Sequence, residues 1–184
     1  TISVYSWGVN NIFSGGRGGN TYTCRRSYFP FDLSGESGTA ESARFYIYMD
    51  NLGDTGVNDD VTVVLATALA GSTDDFGNVY SSGTTFGAEL VTPISVSVTE
   101  GYQYLTLNTA GITAVNSAVG SGTLTVGLIG DHYDFNNNKP TLGGDETRIK
   151  VWFANASSSY RPYLDIAYAA VAAADNATFF GTNF

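Results

Sequence analysis

Hydrophobic and polar residues alternate with a period of two along most of this chain. Ala43, Phe45, Ile47 and Met49 alternate with Arg44, Tyr46, Tyr48 and Asp50, the pattern of a strand with one face in a core. Ile94, Val96 and Val98 alternate with Ser95 and Ser97, and Leu124, Val126 and Leu128 with Thr123, Thr125 and Gly127. Ile149, Val151 and Phe153 repeat the pattern, and Leu164, Ile166 and Tyr168 share a face of a further strand. Val61 to Leu65 and Tyr104 to Leu107 add two short ones. Tyr22 to Phe31 reads as one more, although Arg25 and Ser27 share the parity of Phe29 and Phe31, which predicts a bulge or a late start to burial.

Two short helices are predicted. Thr109 would cap a turn or two through Ile112, Val115 and Ala118, stopped by Gly120. Ser72 to Tyr80 is interrupted by Gly77. Turn residues fill the connections at 14–20, 51–60 and 131–147. Roughly eight or nine short strands with long loops predict an all-β fold, a single jelly-roll-like antiparallel β-sandwich with one or two short helices. No repeat or compositional break divides the chain. The sandwich is expected over residues 1–168, followed by an apolar tail at 169–184.

Composition sharpens this picture. The 184 residues are 14% aromatic and 14% charged, against about 25% charged in an average domain. Eight Lys and Arg against seventeen Asp and Glu give a net charge of −9. Phosphate neutralisation needs a basic face, so nucleic acid is excluded as a partner. No stretch is long and apolar enough for a helical membrane span. Thr1 to Tyr5 alternates like a strand rather than a signal peptide, which predicts that either a leader or an initiator Met has been removed. One cysteine, Cys24, and one histidine, His132, cannot make a disulfide or a Cys/His zinc site within one chain.

Enzyme chemistry finds little support. A Ser-His-Asp centre needs His132, which sits among turn residues with no Gly-x-Ser-x-Gly elbow in the chain. Glycoside hydrolysis needs two facing carboxylates. Glu36, Glu41, Glu89, Glu100 and Glu146 all lie among Gly, Thr, Ser and Asp, where a solvated turn residue is the plainer reading. The run Gly15 to Gly19 lacks the Gly-Lys-Ser/Thr of a phosphate loop. The expectation is a protein that is not an enzyme and holds no cofactor. Calcium is the one metal its acidic loops could take, since hard oxygens suit that ion. Asp50, Asp54, Asp59 and Asp60 are the preferred ligands, and a second loop carries Asp131, Asp134 and Asn136. Neither has EF-hand spacing.

Two features point to binding. Tyr46, Tyr48, Trp152 and Tyr163 lie opposite the apolar parity of their strands, so adjoining outward faces would form an aromatic platform for a glycan. The competing reading is cross-strand packing of the rings on a half-covered sheet. The second feature is the tail, with Phe179, Phe180 and Phe184 among its last six residues. Three Phe exposed to water are costly at about 25 cal/mol per Å², so they are expected to anchor an assembly contact. Asn155 and Asn176 open glycosylation sequons, informative only for a secreted eukaryotic chain.

Three stretches carry a resemblance: Arg26-Ser27-Tyr28-Phe29-Pro30-Phe31-Asp32-Leu33-Ser34, Glu41-Ser42-Ala43-Arg44-Phe45-Tyr46-Ile47-Tyr48 and Tyr160-Arg161-Pro162-Tyr163-Leu164-Asp165-Ile166-Ala167-Tyr168. Together they resemble the DNRLRE-like, carbohydrate-binding-module-like β-sandwich domains of phage structural proteins and bacterial surface proteins. The family's central aromatic segment is only loosely matched by Phe76, Tyr80 and Phe86, and the Ala/Phe tail lies outside its pattern. The resemblance implies no catalytic residue. It implies a virion structural protein of a tailed phage, a capsid decoration or fibre subunit located in the virion, with other virion subunits or copies of itself as partners. The alternative is an extracellular glycan-binding module of a bacterial surface or secreted protein.

Overall fold

A computed structural model describes residues 8–13, 20–23, 26–49, 60–67, 77–95, 100–137, 147–148, 151–152 and 159–170. The strands are β1 (Gly8–Phe13), β2 (Asn20–Thr23), β3 (Ser27–Asp32), β4 (Ala40–Met49), β5 (Asp60–Leu65) and β6 (Tyr80–Ser82). They continue with β7 (Thr85–Phe86), β8 (Ile94–Ser95), β9 (Gly101–Thr106), β10 (Thr123–Gly130), β11 (Thr147–Arg148) and β12 (Tyr163–Tyr168). One α-helix, α1 (Thr109–Ala118), a 3-10 turn at 77–79 and a π-helical turn at Asp131–Phe135 complete the described elements.

The strands form antiparallel sheets ordered β3-β10-β5-β8 and β12-β4-β9, with a third sheet β11-β1-β2 and the hairpin β6-β7. The first two face each other across one core. Val61, Val63, Leu124, Val126 and Leu128 come from one sheet, and Ala43, Phe45, Ile47, Met49 and Leu105 from the other. The ring centroids of Phe29 and Phe45 lie 5.1 Å apart across that core, and those of Phe31 and Phe45 5.7 Å apart. The expected all-β sandwich is present. Its core follows the predicted parity, and burying each large side chain contributes about 1.5–3 kcal/mol before entropy is charged against it.

Helix α1 closes the sandwich edge. Its cap is Asn108 rather than Thr109, whose hydroxyl belongs to the first helical residue. The Asn108 side chain accepts from the Gly111 N–H at 3.0 Å while its amide donates to the Glu89 carbonyl at 3.0 Å, so one residue satisfies the helix start and ties it to the preceding segment. Asn116 pins the helix to β4, accepting from the Ala40 N–H at 2.7 Å and donating to its carbonyl at 3.1 Å.

Two other expectations change. Tyr22 to Phe31 is two strands, because β2 pairs with β1 while β3 pairs with β10. Of the proposed Ser72–Tyr80 helix, the described part is one 3-10 turn at 77–79 followed by β6, and the rest lies outside the described residues. The twelve described strands exceed the number expected because several are only two or three residues long.

Strand β10 is buried on both faces from Leu124 to Gly130, whereas alternation alone predicts one. Its outer face is covered by a second small core of Val64, Val79 and Ile129 with Tyr28, Tyr80, Phe86 and Phe135. Glycine makes this cover possible at two points. A Cβ on Gly127 would lie 2.6 Å from Val79 Cγ1, and one on Gly87 2.0 Å from the Leu65 carbonyl oxygen.

A buried ion pair holds the cover down. Arg26 and Asp134, 3% and 6% exposed at their side chains, are joined by two bonds, Nε to Oδ2 at 2.7 Å and Nη2 to Oδ1 at 2.6 Å. The guanidinium also donates to the Tyr80 hydroxyl at 2.8 Å and lies over the Tyr80 and Phe86 rings. Burial alone would lower the Arg26 pKa, but Asp134 and then Tyr80 more than reverse it. Burial pushes the nearby Tyr28 phenol up to about 12, against the opposing pull of Arg26.

Replacing Asp134 with Ala strands a buried guanidinium, and a loss of about 3–5 kcal/mol is expected in urea unfolding. The double change Arg26→Met with Asp134→Leu should recover much of it. Tyr28 adds a pH dependence. An unfolded tyrosine ionises near pH 10 and the folded one at about 12. The folded state therefore keeps its proton longer, and stability present below pH 10 is lost as pH rises towards 12. Unfolding at pH 9 and 11.5 should show a smaller drop for Tyr28→Phe than for the unaltered protein. An equal drop would contradict the assignment.

Candidate functional site: an aromatic sheet face

The outer face of the β12-β4-β9 sheet has no cover of the kind that closes over β10 among the described residues. Since successive side chains of a strand point to opposite faces, the inward Phe45, Ile47 and Met49 force Tyr46 and Tyr48 outward. Register then decides what stands beside them. Tyr46 lies opposite Tyr163 on β12 and Tyr104 on β9, and Tyr48 opposite Tyr102. Trp152 enters through its backbone: its N–H donates to the Tyr48 carbonyl at 3.0 Å beside the Met49–Val151 bridge.

The rings make one connected layer. Tyr46 stacks on Tyr163 with centroids 4.5 Å apart and planes 7° apart, and touches Tyr104 at 5.6 Å. Tyr48 meets Tyr102 at 5.1 Å and Tyr160 at 4.5 Å, and Tyr160 continues to Trp152 at 5.5 Å. A contact of 5.5 Å between Tyr102 and Tyr163 closes the two rows. All four expected platform residues are thus brought together on one face.

Their roles divide. Tyr46 and Tyr48, on the central strand, are half-buried because neighbouring rings cover them. Exposure belongs to the flanks: Tyr104 is 51% exposed, Tyr163 44%, and Tyr102 and Trp152 39% each. Tyr102, Tyr104 and Tyr160 were not among the residues expected from sequence. Their signal was there, since Tyr102 and Tyr104 hold the parity opposite Leu105. The cross-strand packing reading is also correct for the central pair. Packing fixes the inner rings and leaves the outer ones half in water.

Polar groups frame the layer. Arg44 lies over the Tyr104 ring at 4.9 Å, opposite Asp165 and Thr106. Its hydrogen bond to Tyr46, reinforced by the charges of Tyr46, Tyr104 and Asp165, raises its pKa. The Tyr48 hydroxyl donates to Glu100 at 3.1 Å, and the Tyr102 hydroxyl to the Arg161 carbonyl at 3.0 Å. Burial among the rings raises the Tyr163 phenol, helped by Tyr46, Tyr102 and Asp165.

The other candidates are placed as follows. Asp50, Asp54 and Asp59 lie outside the described residues, and Asp60 opens β5 opposite Ser95. In the second acidic loop both carboxylate oxygens of Asp134 accept from Arg26, which removes Asp134 from any calcium set. Among the described residues no three His, Cys, Asp or Glu side chains gather as a metal site. Phe179, Phe180 and Phe184, Cys24 and the side chain of His132 fall outside the description. Glu89 is not a solvated turn residue but accepts from the buried Thr62 hydroxyl at 2.7 Å. A groove of about 650 Å³ runs between α1 and the β5/β10 edge, lined by Leu65, Ala88, Ala114, Leu124 and small hydroxyl residues. The hydroxyls of Thr113, Ser117 and Ser121 there bond to carbonyls of α1 itself, leaving no titratable group to do chemistry.

Comparison with protein-family models, curated proteins and solved structures finds no match to this chain. The functional reading therefore rests on the geometry.

The stacked pair generates a test. A double-mutant cycle on Tyr46→Ala and Tyr163→Ala, read by urea unfolding, should give a coupling of about 0.5–1.5 kcal/mol. Tyr163→Ala and Leu65→Ala, with no shared partner, should be additive. A coupling near zero between the tyrosines would mean that the rings do not support one another.

Proposed function

We propose that this protein is a non-enzymatic binding module whose aromatic sheet face holds a glycan. The observation that carries the reading is the composition of the exposed apolar surface. Among the described residues, the large exposed hydrophobics are Leu65, Tyr102, Tyr104, Trp152 and Tyr163. Four of the five are aromatic and share this face. Tyr, Trp and Arg are enriched at protein–protein interfaces too, but there the acidic residues are depleted, whereas Asp165 and Glu100 stand beside these rings. Sugars suit that combination. Their axial C–H groups stack on ring faces while their hydroxyls need donors and acceptors at the rim, and Arg44, Asp165, Glu100 and the tyrosine hydroxyls supply those. Exposed apolar area of this kind marks an interaction site. The resemblance to carbohydrate-binding-module-like domains agrees with this reading, since its second and third motif stretches form β4 and β12 and bring Tyr46, Tyr48 and Tyr163 to the face.

The virion reading stands second. It rests on the apolar tail with Phe179, Phe180 and Phe184, which would anchor the subunit to its neighbours. Calcium in the loop of Asp50 to Asp60 is a proposal of the same rank.

Titration calorimetry against a panel of soluble oligosaccharides and polysaccharides tests the reading. Binding is expected to weaken at least about tenfold, or 1.4 kcal/mol, in Tyr104→Ala and in Trp152→Ala, and to be unchanged in Leu65→Ala. Absence of binding across the panel, with self-association lost in the same two variants, would make the face an assembly surface and return the virion subunit to first place.

A further inference from the structure

Resting on the glycan reading, we infer that the ligand is a single dissolved chain of uncharged sugars, neither a polyanionic glycan nor the surface of a solid polysaccharide. Two independent features of the face carry this.

The first is ring orientation. A solid polysaccharide presents many chains in one plane, and gripping it requires aromatic faces that lie in one plane too. Here neighbouring planes differ by 28° for Trp152 and Tyr160, 40° for Tyr46 and Tyr104, and 55° for Tyr48 and Tyr160. They differ by 68° for Tyr102 and Tyr163 and 89° for Tyr48 and Tyr102. The one nearly parallel pair, Tyr46 and Tyr163, is parallel because the rings face each other at 4.5 Å, so neither offers that covered face to a flat surface. Strand twist works in the same direction, turning successive lanes by roughly 20–25°. A single chain can follow such a surface, presenting a different sugar face to each ring in turn. A rigid plane would meet one or two rings only.

The second is charge. Among the described residues, the cations of the face are Arg44, at its rim opposite Asp165 and against the Tyr104 ring, and Arg161, whose carbonyl accepts from Tyr102. At the rim Glu100 carries a negative charge and accepts from Tyr48. Around this stands a chain of net charge −9. A uronate, sialylated or sulfated chain would meet no cation surplus and would lose hydration from its acidic groups without an equal return. Uncharged hydroxyls suffer no such loss, and Asp165, Glu100 and the phenols can accept from them or donate to them.

Native affinity electrophoresis of the full chain reads both features. The gels contain hydroxyethylcellulose, xyloglucan or galactomannan as uncharged chains, and alginate, polygalacturonate or dextran sulfate as polyanions. Microcrystalline cellulose and chitin serve as solids in a sedimentation assay. Retardation by at least one uncharged chain is expected, little altered between 0.05 and about 0.5 M salt because the charge contribution is small. It should be lost in Tyr104→Ala and kept in Leu65→Ala, with circular dichroism confirming that both variants fold. Retardation by a polyanion that fades with salt would overturn the inference while leaving a glycan-binding face in place. So would sedimentation with a solid and no effect of any dissolved chain. No retardation or sedimentation in any arm would overturn the glycan reading itself, and the inference with it.

Discussion

The alternation of β4 is the constraint on which the rest of this molecule depends. Ala43, Phe45, Ile47 and Met49 must point into the core, because they are the apolar contribution of the central strand of their sheet. A backbone of period two then has no choice about Arg44, Tyr46 and Tyr48. They stand outward, midway between β12 and β9, where both neighbours can reach them. Burial on one side of the strand thus fixes the aromatic layer on the other.

The two facing sheets treat their outer surfaces in opposite ways. The sheet containing β10 is sealed by the β6-β7 hairpin and the π-helical turn, held by the two-bonded pair of Arg26 and Asp134. Such a pair is worth little when set against an apolar replacement, and a great deal when only one partner is removed. The sheet containing β4 carries rings that pack on one another instead, and its outermost rings remain 39–51% exposed. Aromatic contacts across strands contribute to stability there while leaving the outer rings half in water. A rigid, preformed layer of this type loses little conformational entropy on binding, which favours affinity.

What could be read from the chain follows from range. Period-two patterns are local, so β4, β10 and β12 and their core faces were visible, and Tyr102 and Tyr104 could have been found by the same rule. The short helix was visible from its apolar spacing, although its cap lay one residue earlier, where Asn108 also reaches the Glu89 carbonyl. Register is not local. Nothing near Tyr46 states that Tyr163 will lie opposite it, and nothing near Arg26 announces Asp134, 108 residues away. The double burial of β10 was hidden for the same reason, since it depends on a hairpin whose own strands are two and three residues long. Acidic residues misled in the other direction. Asp134 reads as a hard oxygen for calcium until its guanidinium partner is known.

The most direct measurement of the central claim is a two-dimensional NMR titration that follows the backbone amide and aromatic ring resonances while an uncharged soluble oligosaccharide is added. The account predicts that ring signals of Tyr102, Tyr104, Trp152 and Tyr163 shift together and saturate at one ligand concentration. Amides of α1 and of Leu65 beside the groove should stay where they are. Shifts confined to the α1 groove, or no shift in those four rings at any concentration, would contradict it.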